Sequence, residues 1–99
     1  MNFQEHVRRA LDSLPPELAQ GLKNVAVVVE DEHPDDPDLF GLFEEEPYMP
    51  AKVTIYRLPL VESFPDPREL EQEIRITVLH ELAHYFGIDE ARLDELGYG

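Results

Sequence analysis

An α+β fold is predicted from three observations. Helical periodicity occupies both ends of the chain, β-branched runs occupy its middle, and a long capped helical segment follows Pro67. The expected order is helix, strand, loop, strand, helix, helix, in one domain over residues 1–99, because a second domain would leave neither half a usable core.

Each element follows from local chemistry. Phe3, Val7, Ala10, Leu11 and Leu14 share one helical face, so Phe3–Leu14 reads as an amphipathic surface helix. The stretch SLPPEL ends it, since proline cannot continue the hydrogen-bond ladder. Pro16–Leu22 reads as one further short helical turn. VAVVV, Val25–Val29, has the apolar pattern of a strand buried on both faces. The acidic EDEHPDDPD carries two prolines and is a loop. LFGLFEEEPYMP reads either as a short edge strand or as an exposed loop. KVTIYRL, Lys52–Leu58, is the second strand. Asp66 suits a helix N-cap, Pro67 the first helical position and Glu69 the reciprocal capping position. That helix is expected to run to about Phe86, with Gly87 as its left-handed exit. Asp89 then caps a last short helix to about Leu96, with Leu93 and Leu96 facing inward.

Composition excludes several classes of partner. Net charge is −14, from 22 acidic and 8 basic residues. Phosphate backbones and anionic membrane surfaces are repelled, so no nucleic acid and no membrane is expected as a partner. A cationic partner is permitted, although the same charge also keeps a small protein soluble. No apolar run is long enough to cross a bilayer. The chain has no cysteine, which rules out a disulfide frame or a thiolate metal site. The N-terminal MNFQEHVRRALDSLPPEL lacks the apolar core of a secretory leader. A cytoplasmic location is the resulting expectation.

The chemistry concentrates in TVLHELAHYFGIDEARLDELG, Thr77–Gly97. On a helix, His80 and His84 fall about 40° apart and one turn separated, so both imidazoles reach a common point. Glu81 lies about 100° round from His80, beside the ligands rather than among them, where it can handle a water. Ile74, Ile76, Val78, Leu79, Leu82, Ala83, Tyr85 and Phe86 spread round most of the wheel, so the helix is expected to be largely buried. Near the histidines the polar strip carries Glu73, Thr77 and Glu81 and no lysine. The alternative is a pair of surface histidines flanking a glutamate by accident. A catalytic zinc takes three protein ligands. The candidates for the third are Asp89, Glu90, Asp94 and Glu95. Glu90 is preferred, ten residues after His80 and just beyond the glycine turn, although a helix dipole would favour an acidic residue there anyway. His6, on the amphipathic helix, and His33, in the acidic loop, are not expected to be ligands.

These residues resemble the small bacterial zincin-like metallopeptidases. The likeness rests on HELAHYFGIDEARLDELG (His80–Gly97), DLFGLFE (Asp38–Glu44) and VTIYRLPL (Val53–Leu60), and covers most of the chain from about Val25 onward. It implies a minimal zincin-like α+β domain, a small β-sheet packed on a long HExxH helix with flanking helices. It also implies Zn2+ on His80, His84 and an acidic residue after the glycine. Family members commonly carry aspartate where this chain has Glu90; glutamate keeps the charge and lengthens the arm. The chain is similar to metzincins at the glycine turn, but lacks their third histidine and their Met-turn.

The function expected is zinc-dependent hydrolysis of peptide bonds, with a peptide or protein as substrate and Glu81 as general base to a water acidified from about 15.7 toward 7. Tyr48, Tyr56, Tyr85 and Arg57 are candidate oxyanion donors, Tyr85 the first to be excluded because it points away from the histidines. A substrate strand could align on Val53–Leu58 or Leu39–Phe43. For Leu39, Phe40, Leu42 and Phe43, core packing is the favoured role. A chain this short is expected to have a shallow, open site. The rival is a non-catalytic, metal-stabilised adaptor or a protein-interaction domain that retains the fold, where metal or the helix itself only holds the structure.

Overall fold

Three strands form a mixed sheet in the order β1-β3-β2, where β1 is Val25–Glu30, β2 is Gly41–Glu44 and β3 is Ala51–Tyr56. The computed structural model describes residues 2–87 and 90–95, except the side chains of 17, 84, 90 and 93. β1 pairs parallel to β3 with Val27 opposite Val53 and Val29 opposite Ile55. β2 pairs antiparallel to β3 with Gly41 opposite Ile55 and Phe43 opposite Val53. The helices among the described residues are α1 (Phe3–Asp12), α2 (Pro16–Gly21), α3 (Arg57–Ser63), α4 (Pro67–Phe86) and α5 (Glu90–Glu95), with a 3-10 turn at Leu22–Asn24.

The α+β expectation is borne out, and so are the bounds of the long helix. Asp66 caps α4 by accepting from the backbone N–H of Arg68 and of Glu69. Pro67 starts it, and Gly87 ends it at φ 66°, a backbone conformation that favours glycine. Val53 and Ile55 on β3 are fully buried against Ile74, Val78, Leu79 and Leu82 of α4, together with Val7, Ala10 and Leu14 from the N-terminal segment. α4 is therefore both the main wall of the core and the carrier of the histidine motif.

Three expectations need correction. VAVVV is not buried on both faces: β1 is an edge strand, with Ala26 exposed and Val27–Val29 half-buried. The central position belongs to β3, whose Thr54 and Tyr56 are buried as well as Val53 and Ile55. β-branched composition cannot separate a central strand from an edge. The second strand stops at Tyr56 rather than Leu58, because Arg57–Ser63 is helical. Pro59 tolerates this position in the first turn, where no backbone donor is required. The turn is anchored to the end of β1: the Leu58 N–H donates to the Asp31 carbonyl, and the Arg57 guanidinium donates to the Asp31 carboxylate at 2.9 and 3.0 Å. Finally, α4, expected to be largely buried, is so in its middle but not at its C-terminal end. Ile74, Val78, Leu79, Leu82 and Ala83 are buried, while Ile76 is half-buried and Tyr85 and Phe86 are exposed.

No helix among the described residues is long and apolar enough to cross a membrane.

Candidate metal and substrate cleft

α4 lies along β2 in a defined seam. Thr77, Glu81 and Tyr85 are each one helical turn apart and lie over Gly41 and Phe43. A methyl group built on Gly41 would stand 2.6 Å from Thr77 Cγ2 and 3.6 Å from Glu81 Cγ. The rings of Phe43 and Tyr85 pack with centroids 5.4 Å apart. Gly41 is opposite Ile55, so this is also the face of the sheet that holds the core.

No strand among the described residues covers the outer edge of β2. The Tyr56 N–H donates to the Phe40 carbonyl at 2.9 Å, which makes 40/56, and by alternation 42/54 and 44/52, the mutually bonded pairs. The peptide groups of Gly41 and Phe43 are then directed away from β3, along the free edge. Of the two segments expected to offer an edge, Val53–Leu58 is excluded, because its strand part lies in β3, which is paired on both sides, and the rest is helical. Gly41–Phe43 remains.

Beside this edge lies a cleft of about 420 Å³. One wall comes from α4, through Glu73, Ile76, Thr77, His80 and Glu81. The other comes from the β1–β2 connection, through Asp36, Asp38, Leu39, Phe40 and Gly41. The Asp38 N–H donates to the Asp36 carboxylate at 3.2 Å, holding the connection in a turn. Leu39, Phe40, Leu42 and Phe43 are half-buried, and Phe40 packs edge-on to Phe64 at 5.8 Å. Four carboxylates and an imidazole line the cleft, with no lysine or arginine. That charge arrangement suits a cation.

The structure places the predicted site residues unequally. His80 and Glu81 share the cleft wall, both half-buried. His84 lies on the same uninterrupted helix, one turn beyond His80, but its side chain is outside the described residues. The side chain of Glu90, at the start of α5, and the whole of Asp89, Leu96 and Gly97 are also outside them, as is the side chain of Leu93. Among the described residues no three histidine or carboxylate groups converge to hold a metal ion. Of the fallback ligands, Asp94 is exposed and Glu95 accepts from Arg92 at 3.0 Å on the exposed face of α5.

The other histidines are engaged elsewhere. His6 is buried rather than on a surface, with Nδ1 3.2 Å from a Glu71 carboxylate oxygen that also meets Arg9 at 3.3 Å. α1 packs against α4, and that contact turns His6 inward. His33 Nδ1 accepts from the Asp35 N–H at 3.1 Å, and its ring meets Tyr56 edge-on at 5.7 Å.

The candidate oxyanion donors separate as well. Tyr56 alternates away from α4 and is buried. Burial, helped by the Glu30 and Glu44 carboxylates, raises its phenol above the ordinary value, so it stays neutral on the opposite face of the sheet. Arg57 is committed to Asp31. Tyr85 packs between Phe43 and Phe86. Tyr48 is almost fully exposed on the β2–β3 connection. The Gly41–Thr77 approach was not foreseen from sequence; the only signal was a glycine between apolar residues, in LFGLF.

Comparison with known proteins gives one finding. The family model described as zincin-like metallopeptidase matches residues 22–99. A search of curated proteins returns no match. The matched segment takes in the sheet, the cleft and α4, and leaves α1 outside it.

Proposed function

The chain belongs to the zincin-like metallopeptidase family, and on that premise we propose that it hydrolyses peptide bonds with zinc held by His80, His84 and Glu90 and with Glu81 as general base. The observation that supports this reading is the placement of His80 and Glu81 on one cleft wall, beside the free edge of β2.

The donor chemistry fits the metal. α4 is continuous through positions 80 and 84, which sets two imidazole-bearing residues one turn apart. Among the described residues no lysine or arginine lines the cleft to compete with a dication. Two imidazoles and a carboxylate are an established donor set for catalytic zinc. Bound zinc would supply Lewis acidity, which acidifies water to near neutrality and polarises a carbonyl.

The residues of the chain do the rest. Glu81 accepts the proton of the attacking water and passes it to the leaving amine. Its carboxylate has no hydrogen-bond or ion-pair partner among the described residues, so it is available for that transfer. The Gly41 and Phe43 peptide groups on the outer edge of β2 hold an extended substrate as an added strand. The carboxylates of Asp36, Asp38 and Glu73 favour a substrate with lysine or arginine beside the scissile bond.

Two measurements test this. Purified protein loaded with zinc is expected to bind one equivalent and to cleave peptides, with loss of activity on chelation and recovery on zinc addition. Glu90→Ala is expected to weaken zinc binding at least about tenfold; unchanged affinity removes Glu90 from the ligand set. The charge preference is checked with a matched peptide pair. kcat/KM for a lysine-flanked peptide should exceed that of its glutamate counterpart by about 10–100-fold at low salt, and the ratio should shrink as salt rises. Equal rates on both peptides would leave the acidic wall without a role in selection.

A further inference from the structure

We propose that Gly41 is a positioning residue for Glu81, acting through its contact with Thr77. This rests on the reading of Glu81 as general base and adds the element that sets its place.

Gly41 is buried, at the start of β2, with its missing side chain directed at α4. Its φ is not positive, so the backbone does not require glycine; the space does. A Cβ there would lie 2.6 Å from Thr77 Cγ2, closer than real carbon contacts, and 3.3 Å from the Thr54 carbonyl oxygen behind it. It has nowhere to retreat. The strand is fixed by its bonds to β3, and Thr77 is a stiff, β-branched side chain on a helix. Either α4 or β2 must move to make room.

Glu81 is next along the same seam. Its Cγ lies 3.6 Å from the Gly41 Cβ position, an ordinary van der Waals separation. The methylene stem of Glu81 therefore rests on the strand backbone. Bare backbone at position 41 lets the helix come close enough for that contact, which aims the carboxylate into the cleft rather than along the helix surface. Farther along, Phe43 on Tyr85 closes the seam with large rings. The tightest approach in the seam is at Thr77, over one residue with no side chain, and Glu81 rests beside it. His80 lines the cleft from the neighbouring position on α4.

The test uses the zinc-loaded full chain with Gly41→Ala, Thr77→Ser and the two combined. Serine deletes Cγ2, the atom in conflict, so the double substitution restores the space. Gly41→Ala is expected to lower kcat about 10²-fold, as a displacement near 1 Å does, with zinc affinity within about threefold of the parent. Thr77→Ser alone should behave as the parent, and the double variant should recover kcat to within about threefold. Thr77→Val, which keeps a methyl at that position, should not rescue. In zinc-free protein, nuclear Overhauser contacts between the Phe43 and Tyr85 rings, one step along the seam, should weaken in Gly41→Ala and return in the double variant. Parental kcat in Gly41→Ala overturns the proposal. So does a double variant that regains its melting temperature but not kcat, because the contact would then serve packing alone. If the parent cleaves no peptide, the peptidase reading fails, and the Overhauser series alone decides: contacts unchanged throughout overturn the positioning role. If Gly41→Ala does not fold, a folded double variant with parental kcat supports the spacing argument, and one lacking activity overturns it.

Discussion

Glu81→Gln is expected to lower peptide hydrolysis by about 10²–10⁴-fold while zinc content and melting temperature stay at parental values. Glutamine keeps the size and the methylene stem of glutamate but cannot accept a proton at neutral pH. The stem's contact with β2 is preserved, so the seam is undisturbed. The carboxylate makes no hydrogen bond or ion pair among the described residues, so its loss should change stability by no more than about 0.5 kcal/mol. The contrast is what makes the substitution informative. Steady-state cleavage, metal analysis and thermal unfolding on the same preparation check it. Should the variant cleave as fast as the parent, Glu81 is not the base. Should neither protein cleave, the adaptor reading replaces the enzyme, metal-stabilised where zinc binds and held by the helix where it does not.

The second large effect is in the core beneath the site. Leu82 is fully buried between the motif residues Glu81 and His84, in the cluster with Val53, Ile55, Ile74 and Val78. Leu82→Ala removes buried methyl and methylene groups and leaves a cavity that the stiff sheet cannot fill. The expected loss is about 2–5 kcal/mol, a large fraction of the roughly 5–15 kcal/mol available to a domain. Urea unfolding should show a lowered midpoint with an unchanged slope. At sub-denaturing urea the variant should also lose zinc binding earlier than the parent, because the fixed register of α4 is what holds the two histidines together. A shift of less than about 1 kcal/mol would mean that the core collapses onto the gap.

Much of this was legible in the sequence, and the residues show why. Asp66, Pro67 and Gly87 mark the ends of α4 because capping is local chemistry: a side-chain acceptor for free N–H groups, a fixed φ, and a left-handed exit. The positions of His80 and Glu81 on one helix follow from the same register. What was hidden depends on tertiary partners. VAVVV and KVTIY are alike in composition, and only pairing decides that Val25–Glu30 is an edge and Ala51–Tyr56 the centre. Arg57–Ser63 is helical in a region read partly as strand because the chain must turn at Asp31, a contact made across more than twenty positions. His6 is drawn inward by Glu71, from a helix whose spacing alone allowed it to be solvent-facing. Of the cleft, the α4 wall was readable and Leu39–Phe43 was one of two candidate edges, but the approach of Asp36 and Asp38 was not readable, since a loop's path has no period.

The outer border of β1 has a consequence for how copies of the protein behave together. Val25–Glu30 presents a valine-rich border that no other strand covers among the described residues, and such a border is a template for like segments. Fourteen surplus negative charges on each molecule oppose that encounter. Their reach contracts from about 10 Å in 0.1 M electrolyte to about 3 Å at 1 M, whereas backbone complementarity is insensitive to added ions. Colloidal dispersal of this protein is therefore an electrolyte-controlled property, strongest in dilute buffer and weakest in brine.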